Sequence, residues 1–265
     1  MGTAFVVRHP RGFRHGYTPI VRVTDRVGMN FGILKLNAGG RKDVTSPYES
    51  ALVLMTGRLV FAYDGTTYEA HRRSIFDEDP RAIHFARGAS VTVRAESDCE
   101  IAVVQVRNEN AFRTVVFDAR NMIGSEKRGK GLLENTSYRI VRTIFDLSNR
   151  PRSKLVLGED INFQGRWSSY PPHHHAQPEI YHYRFARPQG YGHAELGEDV
   201  YKVRNCDTIK ILDRNDHAQV AAPGYAMYYL WAIRHLPGNP YVKPDFTKAH
   251  RWAMDPKATF WRPKR

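Results

Sequence analysis

Cysteine is scarce in this 265-residue chain: Cys99 and Cys206 are the only two, they stand far apart, and neither belongs to a CxxC pair. A disulfide framework and a zinc-ribbon arrangement are thereby excluded, and a reducing compartment, the cytoplasm, is expected. Long apolar runs are missing as well. The stretch from Ala4 to Val7 is too short for a signal-peptide core, and nothing approaches the 18 residues of a membrane-spanning helix. Acidic residues are outnumbered, 27 to 40, which leaves a net charge of +13. The excess is spread evenly, with 23 basic and 16 acidic side chains in residues 1–150 and 17 and 11 in the remainder. That pattern argues against a polybasic arm. It fits either chemistry on anionic small molecules or diffuse attraction to polyanions, and no zinc-finger, RNP-like or helix-turn-helix pattern points to nucleic acid.

What is abundant is period-2 alternation of aromatic and β-branched residues, punctuated by Gly, Pro, Asn and Asp. This predicts an all-β chain. The clearest hairpin spans Arg58 to Ala70, with Asp64-Gly65 as a type I′ turn whose two positions both need positive φ. Val91 to Arg94 and Ile101 to Val106 read as a second pair. In the other half the expected strands are Tyr138 to Asp146, Ser153 to Gly158, Ile180 to Phe185, Thr208 to Leu212 and Ala226 to Ile233. The polar, glycine-punctuated segment from Asn121 to Gly131 reads as a junction. The expected division is a barrel over 1–120, a linker over 121–135 and a second barrel over 136–265. A weak repeat agrees, since Glu49 and Glu179 each open a strand after a proline and lie 130 residues apart.

Five of the 12 histidines fall between 173 and 193. Residues two apart on a strand share a face, so His173 and His175 can address one point while His174 turns away. Pro178 then implies a turn that returns Glu179 to the same point. Two imidazoles and a carboxylate suit Zn, Mn, Fe, Ni or Co and leave positions on the ion for a substrate.

The flanking strings Trp167-Ser-Ser-Tyr-Pro-Pro-His-His-His175, Glu179-Ile-Tyr-His-Tyr-Arg-Phe185 and Ala221-Ala-Pro-Gly-Tyr-Ala-Met-Tyr-Tyr-Leu-Trp231 resemble the 5-deoxy-glucuronate isomerase family of bacterial myo-inositol catabolism, as does Asp255-Pro256. That family looks like a bicupin, two jelly-roll barrels in one chain, and is related to the 4-deoxy-5-ketouronate isomerases. The resemblance implies four metal ligands, His173, His175, Glu179 and His217. The last lies in Asp213-Arg-Asn-Asp-His217, where the family pattern reads Pro-Arg-Gly-Tyr-His, so the ligand is kept and its turn is changed. It also implies a first barrel without metal and an aldose–ketose isomerisation of a deoxy-uronate. In that first barrel Glu49 is expected to be a satisfied polar residue, with hydroxyl binding in a vestigial pocket as the alternative.

Such a reaction needs a base and a cation for the substrate carboxylate. Strand parity from Glu179 puts Tyr181, Tyr183 and Phe185 on the metal side, with His182 and Arg184 opposite. Tyr183 is the expected proton shuttle, Tyr229 the second catalytic tyrosine and Tyr181 a substrate contact. Arg166 and Arg184, with Arg214 behind them, are the expected carboxylate ligands, because a guanidinium grips a carboxylate in a bidentate fork. An Fe(II) cupin dioxygenase and a non-catalytic sugar-acid-binding bicupin are the competing readings, and a homo-oligomer stays open.

Overall fold

The computed structural model describes residues 5–264, so Ala4 at the head of the apolar N-terminal stretch lies outside the described residues. Among the described residues the chain is nearly all β, with two short 3-10 turns at Leu133–Asn135 and Lys248–Met254. None of its described helices is long and apolar enough to cross a membrane.

The N-terminal half is organised by one long strand, Glu49–Tyr63. Its first part pairs with Ala82–Phe85 and Cys99–Val106, and its second part with Thr66–Arg72 and Ser90–Ala95. The register slips between Leu54 and Thr56, where the strand passes from one sheet to the other. Asp64 and Gly65 have φ of 47° and 72°, and Tyr63 faces Thr66, as the type I′ hairpin requires. The pairing expected between Val91–Arg94 and Ile101–Val106 does not form. Ser90–Ala95 pairs with Arg41–Thr45 and Glu49–Tyr63, whereas Cys99–Val106 lies between Met29–Leu36 and the other end of Glu49–Tyr63. The two strands serve opposite sheets, whose facing sides enclose Leu52, Leu54, Phe61, Val91 and Val93.

In the C-terminal half a seven-stranded sheet runs in the order Val6–Val7, Thr208–Ile211, Glu179–Phe185, Met227–Arg234, Leu155–Asn162, Arg139–Phe145, Gly124–Arg128. A five-stranded sheet that includes Trp167–His174 and His217–Ala221 covers one of its faces, and Tyr183, Phe185, Ala194, Leu196 and Met227 fill the space between. The other face packs on the N-terminal half through a core containing Phe31, Val53, Leu157, Ile180 and Leu230. Two consequences bear on the division read from sequence. Gly124–Arg128, inside the expected linker, is the outer strand of the C-terminal sheet, and Val6-Val7 closes its opposite edge.

Because both faces of this sheet are covered, its strands are buried from end to end, as in Leu155–Asn162 and Glu179–Phe185. Alternation then sorts residues between two interiors. Glu179, Tyr181, Tyr183 and Asp160 face the C-terminal interior, while Ile180, His182, Arg184 and Glu159 face the N-terminal half.

Candidate metal centre and its cavity

The site is assembled from both sheets of the C-terminal half. His173 and His217 are directly opposed on neighbouring strands. His175 lies just past the end of Trp167–His174, and Glu179 opens the next strand after Pro178. His175, Glu179 and His217 each offer a ligand atom within 4.8 Å of the others, and all three are buried. Among the described residues no other group of three does so. His173 stands beside them, its ring centroid 4.4 Å from that of His217. As parity predicts, His174 points elsewhere, with its Nδ1 2.6 Å from Asp216 Oδ1.

The hydrogen-bond partners fix what the imidazoles present. A carbonyl can only accept, so His175 Nδ1–H donates to Gln177 O at 2.8 Å and His217 Nδ1–H to Asn215 O at 3.1 Å. In the neutral rings each Nε2 is therefore a bare lone pair. His175 Nε2 lies 3.1 Å and His217 Nε2 3.5 Å from the same Glu179 Oε2, and His217 Nε2 is buried without a hydrogen-bond partner. Lone pairs facing one another in a buried site need a cation or a proton between them.

Electrostatics favours the cation. Burial lowers the pKa of His217 well below the ordinary imidazole value, helped by His173 and His175. Burial also brings His173 down to about 4, again with His175 adding to the effect. Burial raises Glu179, against hydrogen bonds from its neighbours. Neutral imidazoles around a buried carboxylate form a donor set of nitrogen and oxygen suited to Mn, Fe, Co, Ni or Zn. The residues fit a divalent ion.

A cavity of about 250 Å³ opens onto this cluster. Tyr181 and Tyr229 line it, stacked at 4.5 Å. Ser169 Oγ lies 3.2 Å from the Tyr181 hydroxyl and 3.3 Å from that of Tyr229, which donates to Ser168 Oγ at 2.9 Å. Tyr183 is not in the cavity wall. It shares the inward face, but its hydroxyl donates to Gln219 Oε1 at 2.5 Å deeper in the core.

Neither arginine expected to bind substrate reaches the cavity. Arg184 has the opposite parity and pairs with Glu100 of the N-terminal half, over the ring of Phe13. Arg166 precedes the strand Trp167–His174 and lies over Tyr138 and Phe163, 5.6 Å from each ring centre. Arg214 is exposed in the altered turn, where it and Asp213 take left-handed φ of 57° and 62°.

Their place is taken by residues that the sequence reading passed over. Arg139 and Arg128, opposed on neighbouring strands, line the cavity together with Lys243. Arg139 is buried, donates from Nη1 to Ser137 O at 2.9 Å, and has no partner for its Nε. Asp160, directly across from Tyr229, also faces the cavity, with Oδ1 buried and unpartnered. Burial pushes its pKa up to about 7, against the opposing pull of Arg139, Tyr229 and Arg128.

This has a stability consequence. Between the ordinary carboxyl range near 4 and about 7, the folded chain holds a proton on Asp160 that the unfolded chain releases, so this group's contribution falls as pH rises through that window. Asp160→Asn lacks that loss. In metal-free protein the urea midpoint of the variant, relative to wild type, is expected to rise from pH 4 to pH 7. A constant difference would contradict the environment described for Asp160.

Comparison with known proteins decides the lineage. The family model described as KduI/IolB family matches residues 5–253. The chain belongs to the KduI/IolB family. Curated relatives named 5-deoxy-glucuronate isomerase include one from Geobacillus kaustophilus, 26% identical over 84% of this chain and 90% of its own length. Another, from Shouchella clausii, is 27% identical over 76% and 79%. An IolB-like protein of Salmonella typhimurium superposes with a TM-score of 0.84 at 21% identity, covering 96% of this chain and all of that one. A Bacillus subtilis oxalate decarboxylase mutant gives 0.61 at 10% identity over 91% and 78%. The structural likenesses establish the cupin fold, and the named relatives of this family support an isomerase.

Proposed function

We propose that the chain is a divalent-metal-dependent isomerase that interconverts the aldose and ketose forms of a deoxy-uronate, with 5-deoxy-glucuronate, named in its relatives, as the substrate. The observation that carries this reading is the convergence of the bare His175 and His217 Nε2 atoms on Glu179, at the wall of a cavity that also presents Arg128, Arg139, Lys243, Asp160, Tyr181 and Tyr229. His175, Glu179 and His217 would hold the ion, with His173 as the fourth ligand. A bound divalent ion supplies Lewis-acid stabilisation of the enediolate formed between C1 and C2.

The chain's own groups account for the rest. Arg139, with Arg128 and Lys243 nearer the mouth, orients the substrate carboxylate, a role for which a buried guanidinium with a free Nε–H is suited. Tyr181 and Tyr229, held by Ser168 and Ser169, offer hydroxyls to the sugar. Asp160 is the acid–base group, since a carboxyl balanced near neutrality can both take and return a proton at working pH. A small cavity serves a small molecule, and cytoplasmic placement belongs to the same reading.

The test is strictly anaerobic incubation of metal-loaded protein with 5-deoxy-glucuronate, followed by NMR. Loss of the aldehyde-hydrate signals and growth of a ketone are expected. Turnover only with oxygen consumption would replace the isomerase with an oxygenase, and tight binding without product would leave a sugar-acid-binding protein.

A further inference from the structure

A second cleft, of about 290 Å³, opens between the two halves of the chain. Gly28 and Arg107 of the N-terminal half face Lys154, Arg234 and His235 of the C-terminal half across it. No aspartate or glutamate lines it. Among the described residues none of the three cations is in an ion pair. Lys154 and Arg234 are half-buried and Arg107 is exposed at the rim. Like charges gathered without a counter-charge repel one another, and an anion removes that cost.

The cleft is built rather than incidental. Arg234 Nε donates to Val27 O at 2.9 Å, and the guanidinium lies against Gly28, where a Cβ would come within 2.7 Å of Nε. Gly28 also has a φ of +67°, a backbone conformation that disfavours a side chain at that position. His235 supplies an independent sign. It is 97% buried by its exposure of 3%, and its Nδ1 accepts the Tyr241 N–H at 2.9 Å, so the neutral ring carries its proton on Nε2. That Nε2 is buried and has no partner. His235 thus lines a cleft that holds three cations outside any ion pair, and its own buried Nε2–H lacks an acceptor.

We propose that this cleft is a binding site for a phosphate group, free or carried on a small metabolite. Three cations suit a doubly charged tetrahedral oxyanion better than a single carboxylate. The site is independent of the isomerase reading. It lies close to the metal cluster along the backbone all the same: Arg234 N–H donates to Pro178 O at 3.0 Å, one residue before Glu179, and the Tyr241 ring meets His175 edge-on at 4.9 Å.

The test is calorimetric titration of inorganic phosphate into the metal-loaded full chain at low salt, with a parallel titration of glucose 6-phosphate. Saturable binding at one site per chain is expected, weakened about tenfold or more by Arg107→Gln and further by the Arg107→Gln/Lys154→Gln pair. Arg139→Gln, in the other cavity, is expected to leave it unchanged. Tighter binding of glucose 6-phosphate would identify a phosphoester as the occupant, and tighter binding of phosphate the free anion. No saturable binding at millimolar phosphate overturns the proposal, as does wild-type binding by the double variant. Loss of binding in Arg139→Gln with retention in the double variant overturns it too, by moving the anion to the catalytic cavity.

Discussion

Replacing His217 with alanine is expected to strip the protein of its divalent metal and its turnover together while the fold stands. His217 is 0% exposed, its Nδ1 proton is spent on Asn215 O, and its Nε2 has no group to meet except what lies between it and Glu179. Mutating the outer partners of metal ligands already costs about 10- to 100-fold in affinity. Losing a ligand is expected to exceed that range and to leave far less than one ion per chain after dialysis. The barrel is expected to fold without the ion, because its interior is filled by side chains such as Tyr183, Leu196 and Ile209. His174→Ala is the matched control: it removes an adjacent imidazole that bonds Asp216 instead, and it should retain metal. Elemental analysis of wild type and both variants gives the answer. Full occupancy in His217→Ala would remove this residue from the site, and equal loss in both variants would point to a damaged strand rather than a lost ligand.

The legibility of this site in the sequence follows the pleat of the sheet. HxH followed by a proline turn and a glutamate can be read because alternation and the turn act locally, and the structure brings those residues together. His217 came only through resemblance, since one histidine after a polar turn carries no local signal of its own. Asp160 was missed because the expected strand stops at Gly158, whereas the observed one continues to Asn162. In a strand buried on both faces the polar–apolar alternation is lost, and Glu159-Asp160 reads as a turn when each carboxylate is in fact held by a different interior. Arg128 and Arg139 were missed for a related reason. Lys-Arg-Gly-Lys-Gly looks like solvated loop, yet Glu126 to Arg128 pairs with Arg139 to Val141 and so carries a cation to the cavity. Tyr183 failed in the opposite sense: parity places it on the correct face, but nothing in parity says how far along that face the cavity extends. Glu49, enclosed by His84, Ser153, Asn108 and the Lys154 N–H at 2.5–2.8 Å, is the satisfied polar residue expected there and not a vestigial binding group. Its role is to fasten the first half to the segment that leads into the second.

The same back-to-back packing places the largest stability effect away from the metal, at Arg72. Its guanidinium, 0% exposed, grips the equally buried Glu159 through Nη1–Oε1 at 2.6 Å and Nη2–Oε2 at 2.7 Å, and also donates to Leu54 O and Glu78 O. Tyr228 adds its hydroxyl to Glu159 Oε1 at 2.8 Å, and Arg142 stands 3.6 Å from Oε2. Arg72→Met removes the bidentate partner and strands a buried carboxylate, a change that costs about 3–5 kcal/mol in such sites. In a chain of this size that corresponds to a fall in melting temperature of roughly 10 °C. Adding Glu159→Gln to Arg72→Met removes the stranded charge and keeps an acceptor for Tyr228, so the double variant should recover part of the loss, with a coupling of about 0.5–3 kcal/mol. Urea unfolding of the two single variants and the double variant measures the cycle. A loss below about 1 kcal/mol in Arg72→Met would mean that Arg142 and Tyr228 suffice to hold Glu159. Because Asp160 follows Glu159 on the same strand and turns into the catalytic cavity, Arg72→Met is also expected to lower turnover at unchanged metal content. On the proposed function, the N-terminal half would act on the chemistry without contributing a ligand, by fixing from behind the strand that carries Asp160.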